Sequence, residues 1–106
     1  MFEYYRRLDE INKDYEKNKE KYFKEIAEIV RKYKGKAYIF GSQLKGNAIA
    51  ASDVDILVEI PCEVYWLDVL TELRMKIRNP KFEFHVHCVK EAEEMKKLIK
   101  IYKEID

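Results

Sequence analysis

From Phe2 to Lys34 the chain carries neither glycine nor proline, and Leu8, Ile11, Tyr15, Tyr22, Ile26, Ile29 and Tyr33 recur at helical spacing. That stripe predicts one long helix, or two joined end to end. It is interrupted between Glu16 and Lys21, where Asn18 holds the position the stripe needs, so a break or a solvated stretch is expected there. Gly35, between Lys34 and Lys36, is placed to cap the helix. A continuous helix of this extent would be about 45–50 Å long, whereas a compact chain of this size is about 35 Å across. Part of it must overhang, bend or pack on another chain. The first turns are then either solvated, or Phe2, Tyr4, Tyr5 and Leu8 form the surface of a homo-oligomer or a partner complex.

After Gly35 the periods shorten. Lys36 to Phe40 reads as a strand, followed by a Gly41-Ser42 turn and a short helix over about Ser42 to Ala50 that Gly46-Asn47 kinks or ends. Val54 to Ile60 is a near-continuous apolar strand apart from its acidic positions, and Pro61 stops it. Glu63 to Arg78 reads as a helix with Trp66, Val69, Leu70, Leu73 and Ile77 on one face, terminated by Asn79-Pro80. From Lys81 to Val89 the pattern alternates, with Phe82, Phe84, Val86 and Cys88 on one side and Glu83, His85 and His87 on the other. A last helix, about Lys90 to Ile105, places Ala92, Met95, Leu98, Ile99, Tyr102 and Ile105 at helical spacing. The order predicts an α/β (α+β) fold: a small mixed sheet of three or four strands with helices on one face and the other face open near the aspartates. The expected organisation is one domain over 1–106, with a helical extension (1–34) ahead of an α/β core (36–106).

Composition sharpens this only in part. The 106 residues are 47% hydrophobic and 39% charged, with three Gly and two Pro, which describes a folded, helix-rich domain with one small core. Lys and Glu dominate the charged residues and Ile is a common aliphatic, a usage that leans towards thermophiles. The net charge is +1 and no basic face is evident, which argues against an extensive nucleic-acid footprint but not against a nucleotide or a strand end. Cys62 and Cys88 lie far apart without C-x-x-C spacing and read as two buried, reduced thiols of a cytosolic protein. The amino terminus has no apolar signal core and no run of ~18 apolar residues exists, so a cytoplasmic protein without membrane contact is expected.

The chemistry concentrates between Phe40 and Val58. At a strand-to-helix turn, free backbone N–H groups and the helix dipole attract phosphate oxygens. Gly41 lets the backbone come close, Ser42 adds a hydroxyl, and Lys45 brings a positive charge one turn on. Asp53 and Asp55, two apart on a strand, point to one face about 7 Å apart at Cα. Two such carboxylates can hold one or two Mg²⁺ ions, and burying them without a cation would be costly. Glu83, on the polar face of the third strand, can be aimed at the same pocket, ligate the metal and accept a proton from an incoming hydroxyl. His85 shares that face as a supporting group or as the alternative completing residue. His85 and His87 with either cysteine match no standard zinc spacing. Metal-held phosphates and a positioned hydroxyl make phosphoryl or nucleotidyl transfer.

The run F-G-S-Q-L-K-G-N-A-I-A-A-S-D-V-D-I-L-V, Phe40 to Val58, resembles the signature of the polymerase-β-type nucleotidyltransferase superfamily, and the chain's length and architecture resemble its minimal archaeal and bacterial members. The resemblance implies a palm-like fold. It implies that Gly41 and Ser42 hold the triphosphate of an NTP such as ATP, that Asp53, Asp55 and Glu83 bind two Mg²⁺ ions, and that Ser52 supports the loop. Lys45 stands where many members carry Arg, keeping the charge without the bidentate geometry. The third acid is Glu rather than the commoner Asp. The chain ends one helix after it, with little to select an acceptor. The resemblance therefore implies a partner, a small helical HEPN-type protein paired with it as toxin to antitoxin, some such partners being modified with AMP on a tyrosine. The expected function is transfer of AMP from ATP to a hydroxyl of that partner. The alternatives are a non-catalytic antitoxin that neutralises by contact, and a transferase acting on an RNA 3′ end.

Overall fold

The apolar run Val54 to Ile60 forms the central strand of a four-stranded sheet, and the rest of the chain is placed by what pairs or packs with it. The computed structural model of the protein describes residues 2–46 and 52–106. Its elements run α1 (Phe2–Lys32), β1 (Lys36–Phe40), α2 (Ser42–Lys45), β2 (Val54–Ile60), α3 (Trp66–Lys76), β3 (Phe82–Cys88), α4 (Val89–Ile99) and β4 (Tyr102–Ile105). The sheet order is β3-β2-β1-β4, with β2 and β3 parallel and β1 antiparallel to both β2 and β4. The fold is the mixed α/β arrangement with a long N-terminal helix that the pattern predicts. The last part of the expected α2, from Asn47 to Ala50, lies outside the described residues.

One side of the sheet is built from Ala37, Val54, Ile56, Val58, Ile60, Phe82 and Phe84, which pack with Tyr15, Ile26, Ile29 and Val30 of α1 and Val69 and Leu73 of α3. Each of these side chains is at most 9% exposed, and together they form the main core. The opposite side carries a second cluster, in which Ala92, Met95 and Ile99 of α4 cover Tyr38, Phe40 and Leu57. The helices therefore do not all lie on one face: α1 and α3 take one side and α4 crosses the other. The parallel β2–β3 pair explains the first two, since its crossover helix α3 must lie on a face. For α4, the apolar Tyr38, Phe40 and Leu57 on the second face require cover, and Lys96 fastens it there. Lys96 Nζ donates to Glu59 Oε1 at 2.8 Å and to Tyr38 Oη at 3.0 Å, and sits 4.1 Å from the Tyr38 ring centre. Burial opposes its charge, but the bonds to Glu59 and Tyr38 outweigh it and hold the ammonium above the ordinary lysine range.

Several expectations are corrected. The final helix stops at Ile99, and Lys100 turns the chain with φ 63° into β4. Tyr102 and Ile105, which fit a helical stripe, instead lie on a strand paired with β1, opposite Phe40 and Ala37 respectively. The unpaired edge of β1 decides this, because a strand there satisfies its backbone groups. Helix α1 runs unbroken through a solvated stretch, the second of the two expected readings, with Glu16, Lys17, Glu20 and Lys21 exposed around Asn18. That side chain donates to Asp14 Oδ1 at 2.9 Å, and the Asp14 carboxylate also accepts from the Tyr22 hydroxyl and from Asn79 Nδ2, so the polar interruption is satisfied without leaving the helix. The α1 terminus is closed by bonds from Lys34 N to Arg31 O and from Gly35 N to Val30 O, with Lys34 rather than Gly35 in the left-handed conformation (φ 63°). A side chain at Gly35 would collide with the Glu59 carbonyl, so close approach explains the glycine. Finally, Cys62 and Cys88 are not two buried thiols: they form a disulfide across a Cα separation of 4.7 Å, with Cys62 exposed. Ile60 and Cys88 are partners in the parallel register, so the residue two beyond Ile60 emerges beside Cys88.

Candidate active site

The strand register brings the candidate residues into rows. Phe40, Asp55 and Glu83 pair across β1, β2 and β3, and the next row joins Tyr38, Leu57 and His85. Paired residues in adjacent strands share a face, so Asp55, Glu83 and His85 all stand on the side that α4 crosses. Although α4 covers Tyr38, Phe40 and Leu57, the acids beside them remain accessible: the side chains of Asp55, His85 and Glu83 are 26%, 28% and 50% exposed. One potential ligand atom from each of the three lies within 4.8 Å of the others. His85 Nε2 is 3.4 Å from Asp55 Oδ1 and 4.0 Å from Glu83 Oε1. Two carboxylates and an imidazole at this spacing fit a divalent cation, which would relieve the repulsion between the acids.

Gly41 closes this group on the other side. It has φ 81°, a conformation that side chains rarely adopt, and a Cβ placed on it would lie 2.6 Å from Asp55 Oδ2. The glycine thus turns the chain from β1 into α2 while leaving the Asp55 carboxylate uncovered. Ser42 is the half-buried first residue of α2, and the leading N–H groups of a helix lack intrahelical acceptors. Lys45 is exposed at the last position of α2, and Gly46 caps it in the left-handed region.

Asp53 lies one residue ahead of β2, exposed, and is not one of the three residues grouped at ligand distance. With Ser52 it lines a small cleft of about 120 Å³ whose other walls are Leu8, Ile11, Asn12, Pro80 and Lys81. The strand itself begins at Val54, whose N–H bonds to the Lys81 carbonyl at 2.8 Å.

Two features of the site went unread in the sequence. Lys81 is buried, donates to Asn12 Oδ1 at 2.6 Å and lies over the Tyr15 ring. Burial lowers its pKa, and the Asp53 charge works in the opposite direction. The only signal was a lysine at the start of an otherwise apolar strand approach, N-P-K-F. Phe40, read as an ordinary strand residue, flanks the His85 ring at 5.3 Å between centres. Beneath the site, Tyr15, Tyr22 and Phe23 of α1 pack edge-on against Phe82, tying α1 to the start of β3.

The site is thus an acidic group on an open sheet face, set against a strand–Gly–Ser–helix turn, in a small α/β domain. The chain belongs to the nucleotidyltransferase domain family, whose model matches residues 19–105. A solved crystal structure of a proposed nucleotidyltransferase is 29% identical, with a TM-score of 0.64, over 78% of this chain and 96% of that one. A second, a proposed nucleotidyltransferase from Sulfolobus solfataricus, shares the fold at 23% identity and a TM-score of 0.56, over 92% of this chain and 84% of that one. No curated protein matches. Residues 2–18, the first half of α1, lie ahead of the family match and supply the Leu8, Ile11 and Asn12 walls of the cleft beside Asp53. Among the described residues no helix is long and apolar enough to cross a membrane.

Proposed function

We propose that the chain is a divalent-ion-dependent transferase that moves NMP, first of all AMP from ATP, onto a hydroxyl of a partner protein. The observation that carries this reading is the approach of Gly41 to Asp55: the strand–Gly–Ser–helix turn and the central carboxylate of the acidic group share one small space. In this reading the turn at Gly41 and Ser42 binds the phosphates, Lys45 adds charge at their edge, and Ser52 positions the loop before Asp53. Asp55 and Glu83 are the residues that would hold an ion, with Asp53 as a further ligand once nucleotide is bound. Ions held there, Mg²⁺ where all ligands are oxygens, would supply charge to neutralise the triphosphate and to lower the pKa of an attacking hydroxyl. The hydroxyl oxygen forms a bond to the α-phosphorus, the α–β bridging bond breaks, and pyrophosphate leaves. Glu83, half-exposed on the edge strand, accepts the hydroxyl proton.

A small helical HEPN-type protein is the proposed acceptor. A second reading, neutralisation of that partner by contact alone, draws support from the exposed Phe2, Tyr4 and Tyr5 at the free end of α1. The same surface suits self-association. One experiment separates these readings. The chain is incubated with ATP, Mg²⁺ and candidate acceptors, a tyrosine-bearing helical partner and an RNA 3′ end, and intact masses are read. An AMP adduct on the partner that is lost in Asp55→Ala and reduced in Glu83→Gln supports the proposal. Labelling of the RNA alone would replace the acceptor. Neutralisation that persists in Asp55→Ala without any adduct would sink the enzymatic account.

A further inference from the structure

The acids of the site are accompanied by a nitrogen donor at ligand distance. We propose that His85 binds, through Nε2, the same divalent ion as Asp55 and Glu83, so that this position selects a first-row transition ion such as Mn²⁺ over Mg²⁺. The proposal rests on the reading of this group as an ion site.

Geometry supports it first. An octahedral shell with ligands about 2.1 Å from the ion puts neighbouring ligands about 3 Å apart and opposite ones about 4.2 Å apart. The imidazole nitrogen stands 3.4 Å from one carboxylate and 4.0 Å from the other, so little movement is needed to share an ion. The two oxygens of Asp55 are also divided. Oδ1 faces His85, whereas Oδ2 faces the space kept open by Gly41. One carboxylate can thus serve an ion beside His85 and, with its other oxygen, the phosphate side of the site.

The ring is held for this role. It projects from a strand rather than a loop, one register row behind Asp55 and Glu83, and Phe40 flanks it at a tilt of 53°. The neighbouring His87 is engaged elsewhere, with Nδ1 3.2 Å from Glu91 Oε2 at the start of α4. Donor chemistry then decides the ion. Mg²⁺ takes oxygen ligands and dehydrates reluctantly, whereas imidazole nitrogen suits transition ions. A hydrogen bond from His85 to Asp55 with no ion ligation is the competing reading, and it predicts no nitrogen coupling to the ion.

The test uses the full chain with Mn²⁺ alone and Mg²⁺ alone. Calorimetry gives both affinities, and pulsed electron paramagnetic resonance of the Mn²⁺ form reports nitrogen directly coupled to the ion. The wild type should bind Mn²⁺ about tenfold or more tighter than Mg²⁺ and show the nitrogen coupling. His85→Gln, which offers an oxygen in place of the nitrogen, should lose both the coupling and the preference while Mg²⁺ binding stays close to wild type. Mn²⁺ binding that needs Asp55 (lost in Asp55→Asn) but shows no nitrogen coupling overturns this inference and leaves the transferase reading intact. Binding that is absent, or indifferent to Asp55→Asn, overturns both.

Discussion

At Gly41 two demands coincide, a backbone conformation with φ 81° and a space that any Cβ would deny to the Asp55 carboxylate. Gly41→Ala should therefore fail on both counts. Holding alanine in that conformation costs about 1–3 kcal/mol, and displacing a catalytic group by about 1 Å can cost about 100-fold in rate. The expected outcome is a modest fall in the urea midpoint with loss of nucleotidyl transfer by about two orders of magnitude. Wild-type transfer in Gly41→Ala would remove the turn from the site. The sequence made this residue legible, because a lone Gly-Ser after a strand and before an Asp-x-Asp has few other uses. It did not reveal where β2 starts: Asp53 precedes the strand, which begins between the aspartates at Val54.

Among the elements, α1 shows most clearly how local polarity can mislead. Asn18 looks like a gap in an apolar stripe, yet with Asp14, Asn79, Tyr22 and the backbone carbonyl of Ile11 it forms one network that pins α1 to the loop before β3. The bond from Tyr22 holds the Asp14 carboxyl below its ordinary value of 3.8, against a smaller opposing effect of burial. Burial and that same bond push the Tyr22 hydroxyl up to about 12. A depressed acid contributes stability that is present above its unfolded pKa and is lost as pH falls through the folded one. Asp14→Asn should accordingly be less stable than wild type near neutrality, by about 1 kcal/mol, with the gap closing below about pH 4. Urea midpoints across that range check it, and a gap independent of pH would mean that the carboxylate's charge does not matter. The strands were readable because alternation and continuous apolar runs leave few alternatives. The α4–β4 boundary was not: Ile99, Tyr102 and Ile105 suit a helix stripe, and only the open edge of β1, a tertiary fact, converts the last two into a strand.

For the whole molecule, the disulfide is the feature least visible in advance. Cys62 and Cys88 are 26 residues apart, and nothing but the parallel pairing of β2 and β3 makes them neighbours. Closing a loop of that length is worth about 3.5 kcal/mol through the unfolded chain. Reduction, or Cys62→Ser with Cys88→Ser, should lower the urea midpoint accordingly while Asp55 and Glu83 keep their places, since their row of the sheet is at the other end of the paired strands. A reduced protein with unchanged stability would show that the bridge constrains little.

The length of α1 has a hydrodynamic consequence. Its 31 residues match the long axis of a particle measuring 45 × 28 × 23 Å, and its first turns stand clear of the body with Phe2 92% exposed. Such a shape drags more water than a sphere of equal mass, so a single copy leaves a sizing column early, as a heavier sphere would. Mass from light scattering, and a frictional ratio from sedimentation that falls when residues 2–7 are removed, distinguish an elongated monomer from a true dimer.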